Sequence, residues 1–154
     1  MTLSLLIAAT ISTGLVAGLF YGFACAVMPG LGQVDDAAFV TVFRAINRRI
    51  LNGWFLIAFL GSPVLIVATG VALFVVGGPQ PWVPLAAATV LTVISWVITG
   101  RVNVPLNNAL DAAGSADPTP VRVAFETRWR RANIARSAAS AAGFGSLIWA
   151  IAIS

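Results

Sequence analysis

The chain is 154 residues long, 59% of them hydrophobic and 9% charged, with a net charge of +4 and a mean hydropathy of +0.95. Soluble domains carry roughly a quarter charged residues, so this composition excludes a soluble core, which would have nothing to cover it. One cysteine and no histidine exclude an intramolecular disulfide or dithiol redox centre and, with five scattered acids, argue against a zinc or iron site.

Thirteen of the fourteen charged residues fall in Asp35–Arg49 and Arg101–Arg131, and the fourteenth, Arg136, stands just inside an apolar segment. A helix needs about 20 apolar residues to cross a bilayer, and the uncharged stretches supply four such helices. The fold class is therefore all-α: a single four-span membrane domain over residues 1–154, a four-helix bundle with one short amphipathic interfacial helix. The expected spans are 3–28, 51–76, 82–104 and 130–153, with the interfacial helix at 35–49.

The first span lacks a basic n-region and is too long for a cleaved signal peptide, and Gly22-Phe23-Ala24-Cys25 is a poor lipoprotein box. Gly14, Gly18 and Gly22 form a small-xxx-small stripe that lets another helix approach closely. Tyr21 and Cys25 lie beside that stripe and are expected in its inward-facing sector. After Met28-Pro29-Gly30, Asp35 or Asp36 is placed to cap a helix start. At about 100° per residue, Phe39, Val42, Phe43, Ile46 and Ile50 share one arc, with Arg44 and Arg48 opposite. That pattern suits a helix on the membrane surface or one lidding the bundle.

The second span opens with Asn52-Gly53-Trp54-Phe55 and carries Pro63, which removes a backbone hydrogen bond and favours a kink. Gly77-Gly78-Pro79-Gln80-Pro81 reads as the turn into the third span. That span ends in Trp96, Thr99, Asn103 and Asn107, three or four residues apart and so on one helical face. Pro105 loosens the helix there. Asp111–Pro120 reads as a flexible turn, and Thr119-Pro120 as the start of a helix running to Ile153. Arg122–Glu126 and Glu126–Arg130 have i,i+4 pairing distance. Trp129, Asn133, Arg136 and Ser140 make one stripe toward the bundle interior.

Orientation follows from the arginines. Arg44, Arg48 and Arg49 lie in the first loop, and Arg101, Arg122, Arg128, Arg130 and Arg131 in the third. Short Arg-rich loops stay cytoplasmic, so the expected setting is the plasma membrane, multi-pass, with both long loops in the cytoplasm and both termini outside. Membrane lipids are the expected partners of the basic loops; nucleic acid is not, since no soluble basic domain exists. This topology brings Tyr21, Cys25, Asn47, Asn52, Asn103, Asn107, Asn133 and Arg136 to one end of the bundle, flanked by Trp54 and Trp129. An arginine inside a membrane costs at least about 2.5–3.5 kcal/mol unless partnered or snorkelling, and marks a functional site by default. The alternative for each residue is structural: Arg136 snorkelling to phosphate, asparagines capping helix ends, tryptophans anchoring at the interface.

These residues carry a resemblance. Gly22-Phe23 leading to Met28-Pro29-Gly30-Leu31, Phe43-Arg44-Ala45-Ile46-Asn47 with Ile50-Leu51-Asn52, Asn103-Val104-Pro105-Leu106-Asn107, and Trp129…Asn133…Arg136-Ser137 together resemble the anthrone-oxygenase-like family of small four-span membrane proteins. Gly53 departs from that pattern, where proline usually follows the asparagine, and Asn133 stands where relatives often carry histidine. The resemblance implies oxidation of a planar phenolic or polyketide anthrone with O₂, without metal, flavin or other cofactor. It implies catalytic roles for Arg136, Asn133, Asn103 and Asn107 as donors to an enolate oxyanion. It also implies substrate contacts from Tyr21, Asn47, Asn52, Trp54 and Trp129, with the aromatic rings as stacking faces. Tyr21 is the nominee for general base. The alternative function is a non-catalytic membrane binding or interaction subunit, packing as a homo-oligomer through Gly14, Gly18 and Gly22. A small multidrug transporter is set aside, because those proteins need a membrane-embedded carboxylate and every acid here lies in a loop.

Overall fold

Inside a bilayer the backbone must satisfy its own hydrogen bonds, so apolar stretches of this length become helices. A computed structural model describes residues 1–77 and 79–154. Gly78, in the expected turn between the second and third spans, lies outside the described residues. Among those described there are five helices and no strand: α1 (Thr2–Leu31), α2 (Asp36–Ile50), α3 (Gly53–Val76), α4 (Trp82–Ala112) and α5 (Pro118–Ala152). The long apolar helices α1, α3, α4 and α5 make this a multi-pass membrane protein.

The helices form a ring in the order α3, α1, α5, α4. Helix α1 packs closely on α3 and α5, and α4 on α5, whereas α3 and α4 close the ring along a much looser seam. Both termini and the α3–α4 turn lie at one end; the two Arg-bearing connections lie at the other, here called the loop end. Leu6, Ala9, Ile66, Leu73, Leu85, Ala88, Leu147 and Ala150 fill the terminal end. Hydroxyl pairs stitch the middle, Thr13 to Ser62 at 2.9 Å and Ser95 to Ser140 at 2.8 Å.

Two of the spans contain a single widened turn, each just ahead of a proline. In α1 the Met28 N–H reaches the Phe23 carbonyl across Phe23–Val27, before Pro29. In α4 the Val104 N–H reaches the Thr99 carbonyl across Thr99–Asn103, before Pro105. A proline has no N–H to give the carbonyl four residues back, and a π turn absorbs that loss without breaking the helix. The expected loosening at Pro105 therefore takes a specific form.

Helix α2 is a lid. Asp35 caps it, accepting the Ala38 N–H at 2.8 Å. It buries Phe39, Val40 and Phe43 against Phe125 and Trp129 of α5, with Met28, Leu31 and Leu110. Val42, expected on this face, is exposed and Val40 takes its place. Arg44 fastens the lid by donating to the Leu110 carbonyl (2.7 and 2.9 Å) and the Gly114 carbonyl (2.8 Å), groups that the end of α4 leaves without helical partners. Arg122 of α5 fastens its start, through Asp36 (3.0 Å) and the Val34 carbonyl (2.8 Å), with Glu126 of the same helix holding the guanidinium at 2.7 Å. Glu126 thus turns to Arg122 rather than Arg130. Helix α5 begins slightly earlier than the Thr119-Pro120 signal suggests, because Asp117 caps it by accepting the Thr119 N–H at 3.0 Å.

Candidate functional site

All five helices contribute to a cavity of about 180 Å³ beneath the lid. Its walls are aromatic and aliphatic: Phe20 and Phe23 from α1, Phe43 and Ile46 from α2, Phe55 and Phe59 from α3, Trp129 from α5. Its polar groups are few and come from Asn47, Thr99, Asn103, Asn107 and Arg136. Many apolar walls with a few converging polar atoms is the usual make-up of a small-molecule site.

Arg136 is only 7% exposed. Its Nε donates to Asn133 Oδ1 at 3.1 Å and its Nη1 to Thr99 Oγ1 at 3.3 Å. Its Cζ lies 3.9 Å from the Phe20 ring centre and 5.3 Å from that of Trp129. Among the described residues no carboxylate pairs with it, and Nη2 has no protein partner. A guanidinium with neutral partners only, one donor nitrogen unassigned and a cavity beside it, is a seat for negative charge or a carbonyl oxygen.

The amides hold this arrangement. Asn133 is fully buried; its Nδ2 donates to the Phe20 carbonyl at 3.1 Å while its Oδ1 accepts from Arg136. It thereby ties Arg136 to α1 in the turn that leads into Phe23–Val27, without itself lining the cavity. Asn107 Oδ1 accepts the Trp129 indole N–H at 2.8 Å, which fixes the ring edge-on to Phe43, centroids 5.0 Å apart. Asn103 is also fully buried. Its Nδ2 donates to the Trp129 carbonyl at 3.4 Å, and its Oδ1 has no partner. A buried acceptor left unmet costs about 1–3 kcal/mol, and this oxygen, sealed from solvent, is such an acceptor on a side chain that lines the cavity. Asn47, half-buried, donates to Asp111 Oδ2 at 3.3 Å at the cavity's outer edge.

Several expected placements are corrected. Tyr21 is 64% exposed and Cys25 is exposed as well, so neither shares an inward sector. The inward face of α1 runs instead through Leu6, Ala9, Thr13, Val16, Ala17 and Phe20. Gly14 lies against the Phe144 ring, while a Cβ on Gly18 or Gly22 would meet nothing. Trp54 is 87% exposed and stands outside the cavity, in the position of an interfacial anchor. Asn52 caps α3, accepting the Phe55 N–H at 3.1 Å and donating to the Arg49 carbonyl at 2.8 Å. It too stands outside the cavity. The residues that do line it without having been singled out as site residues include Thr99, several aliphatic side chains and five phenylalanines, Phe20, Phe23, Phe43, Phe55 and Phe59. Phe59 stacks flat on Trp96 (4.7 Å, 6°) and on Phe55 (5.2 Å, 18°). Their i,i+3 and i,i+4 spacings were the available signal, but in so apolar a chain phenylalanine spacing marks lipid-facing and core positions alike.

Among the described residues no three His, Cys, Asp or Glu side chains come together. The sequence model of the family described as anthrone oxygenase matches residues 54–146, more than half of the chain. That stretch carries Asn103, Asn107, Trp129, Asn133 and Arg136. No curated protein and no solved structure matches the chain.

Proposed function

The chain belongs to the anthrone oxygenase family, and on that premise we propose that it oxidises a planar phenolic substrate of the anthrone type with O₂ in the cavity beneath α2. No cofactor takes part. An anthrone methylene is acidic because its carbanion is an aromatic enolate, and that enolate is electron-rich enough to reduce O₂. The methylene carbon gains a carbonyl oxygen, the second oxygen atom leaves as water, and the two methylene hydrogens leave with it.

The observation that carries this reading is the Arg136 guanidinium, without a carboxylate partner among the described residues, in an apolar cavity that Asn103, with its unmet Oδ1, also lines. The substrate oxygen takes a hydrogen bond from Arg136 Nη2, and its enol O–H gives one to Asn103 Oδ1 once that amide turns into the cavity. In a dry site a preorganised donor of this kind is worth several kcal/mol as negative charge develops. Asn133 holds Arg136, and Asn107 holds Trp129 as a ring face. Asn47 bounds the outer edge. O₂ reaches the site through the apolar bundle. The basic loops support an orientation with the cavity at the cytoplasmic face of the plasma membrane.

The test is oxygen uptake by the purified protein in lipid nanodiscs supplied with anthrone, against empty discs, since anthrones autoxidise. Uptake well above the empty discs, with anthraquinone as product, is the expected outcome; equal rates overturn the reading. A second reading, a subunit that packs on another copy through α1, is favoured by one observation: among the described residues nothing would meet a Cβ on Gly18 or Gly22.

A further inference from the structure

We propose that the cavity is loaded sideways from the bilayer, through a mouth between α3 and α4 that selects ligands dissolved in hydrocarbon and uncharged on entry. The inference concerns the route into the site and rests on the cavity, not on the chemistry performed there.

The mouth is visible in how unevenly the lining residues are exposed. On the α5 side and under the middle of α2 the lining is shut, with Trp129 and Phe43 each 2% exposed; toward the end of α2 it loosens through half-buried Ile46, Asn47 and Ile50 to Leu51, 64% exposed beside the start of α3. On the α3–α4 side it is open: Leu56 is 38%, Leu60 50% and Val104 43% exposed, yet all three line the cavity. Helices α3 and α4 also form the loosest seam of the ring. At 1.5 Å per residue, Leu60 lies about 10 Å along α3 from its start at Gly53. Trp54, exposed in the first turn, marks the level of the headgroups. The opening therefore reaches from the interface well into the acyl chains.

The opposite route is closed by hydrogen bonds. Arg44 ties α2 to the end of α4, and Arg122 ties its start to α5. Opening toward water would break those bonds and expose Phe39, Phe43 and Phe125. Opening at the seam needs only leucine and valine rotations. A mouth made of Leu56, Leu60 and Val104 offers no partner to a charge, and an unpaired charge in hydrocarbon is heavily penalised. A cavity of about 180 Å³ is close to the roughly 150 Å³ that accepts one benzene ring. A larger flat ligand would lie with one edge by Arg136 and the other in the mouth.

The test uses bromobenzene, a heavy-atom quencher that partitions into bilayers and is not a substrate. Trp129 is made the sole tryptophan by replacing Trp54, Trp82, Trp96 and Trp149 with phenylalanine, and its quenching is measured in nanodiscs. The expected result is strong quenching that falls severalfold in the Leu56→Phe/Leu60→Phe variant, whose larger side chains fill the mouth. Quenching stays unchanged in Arg44→Ala, which loosens only the lid. No quenching of Trp129, equal quenching in the mouth-filled variant, or a rise in Arg44→Ala overturns the proposal. The same pair in the five-tryptophan chain, read as a difference, decides the matter if the single-tryptophan protein does not fold. Because bromobenzene reports access alone, this result stands apart from whether anthrone is oxidised.

Discussion

Replacing Arg136 with methionine separates a working guanidinium from a structural one, because the two roles predict opposite balances of stability and rate. Methionine keeps the length and apolar stem and removes the charge. Relief of the membrane-burial cost is worth about 2.5–3.5 kcal/mol. Against it stand the cation–π contact with Phe20 (3.9 Å), about 2 kcal/mol when desolvated, and Asn133 Oδ1 left unmet, about 1–3 kcal/mol. The two sides cancel to within about 2 kcal/mol. A donor to a developing oxyanion, by contrast, is worth about 10²–10³-fold in kcat. The expected outcome is anthrone-dependent oxygen uptake falling at least about 100-fold while thermal unfolding in nanodiscs shifts by a few degrees. Arg136→Lys should fall between, since lysine keeps the charge but not the fork that reaches Asn133 and Thr99 together. Full activity in Arg136→Met, or a loss of activity matched by collapse of the fold, refutes the reasoning.

Asn133→His should keep both bonds, one ring nitrogen donating to the Phe20 carbonyl and the other accepting from Arg136, with kcat within a few-fold of the parent. Asn133→Leu loses both and should lower kcat with little change in KM, which steady-state rates will read. Asn52→Ala should cost about 1 kcal/mol of stability through the lost cap of α3 and leave the oxidation rate alone. Arg122→Met should loosen the lid by about 0.5–1 kcal/mol, an effect that shrinks in high salt and is measurable as faster amide exchange in α2. If copies associate through α1, Cys25, exposed one turn beyond Tyr21, should form an intermolecular disulfide under mild oxidation in membranes, and Gly18→Leu should abolish it; unchanged crosslinking in Gly18→Leu removes that interface.

How far the sequence can be read depends on helical regularity. Charge segregation exposes the four spans, because a membrane cannot hide misplaced charge. The stripe Trp129, Asn133, Arg136 and Ser140 is legible for a related reason: α5 is unbroken, so three- and four-residue steps stay on one buried face. Thr99, Asn103 and Asn107 likewise do line one cavity. Tyr21, Cys25, Asn52 and Trp54 are misplaced where regularity ends, beside the widened turn of α1 or in the first turn of α3. There an angular count says little, and a side chain goes where a backbone group or the interface wants it. Within this chain the inner face of α1 does not follow the glycine spacing: close approach is driven by whatever fits, and Ala9, Thr13 and Ala17 serve that face as well as glycine would.

The position of the site follows from the two prolines. Pro29 and Pro105 sit near the loop ends of α1 and α4, each preceded by a π turn. A widened turn spoils the close ridge-and-groove fit of neighbouring helices, so space opens at that level rather than at the tightly packed terminal end. It also disturbs backbone pairing, which an amide side chain can mend: Asn133 bonds to the Phe20 carbonyl just ahead of the widened turn of α1, while Asn103, in the widened turn of α4, reaches across to the Trp129 carbonyl of α5. Each amide satisfied this way has a second arm left. Asn133 uses its second arm to aim Arg136; Asn103 leaves its own buried and unmet. The same local defects thus produce the space, the polar groups and their orientation. Removing one of them, as in Pro105→Ala, should let α4 recover regular turns and tighten against α5. The mended helix would be more stable and the cavity smaller, so a higher unfolding temperature with slower oxidation is the combination that this account requires.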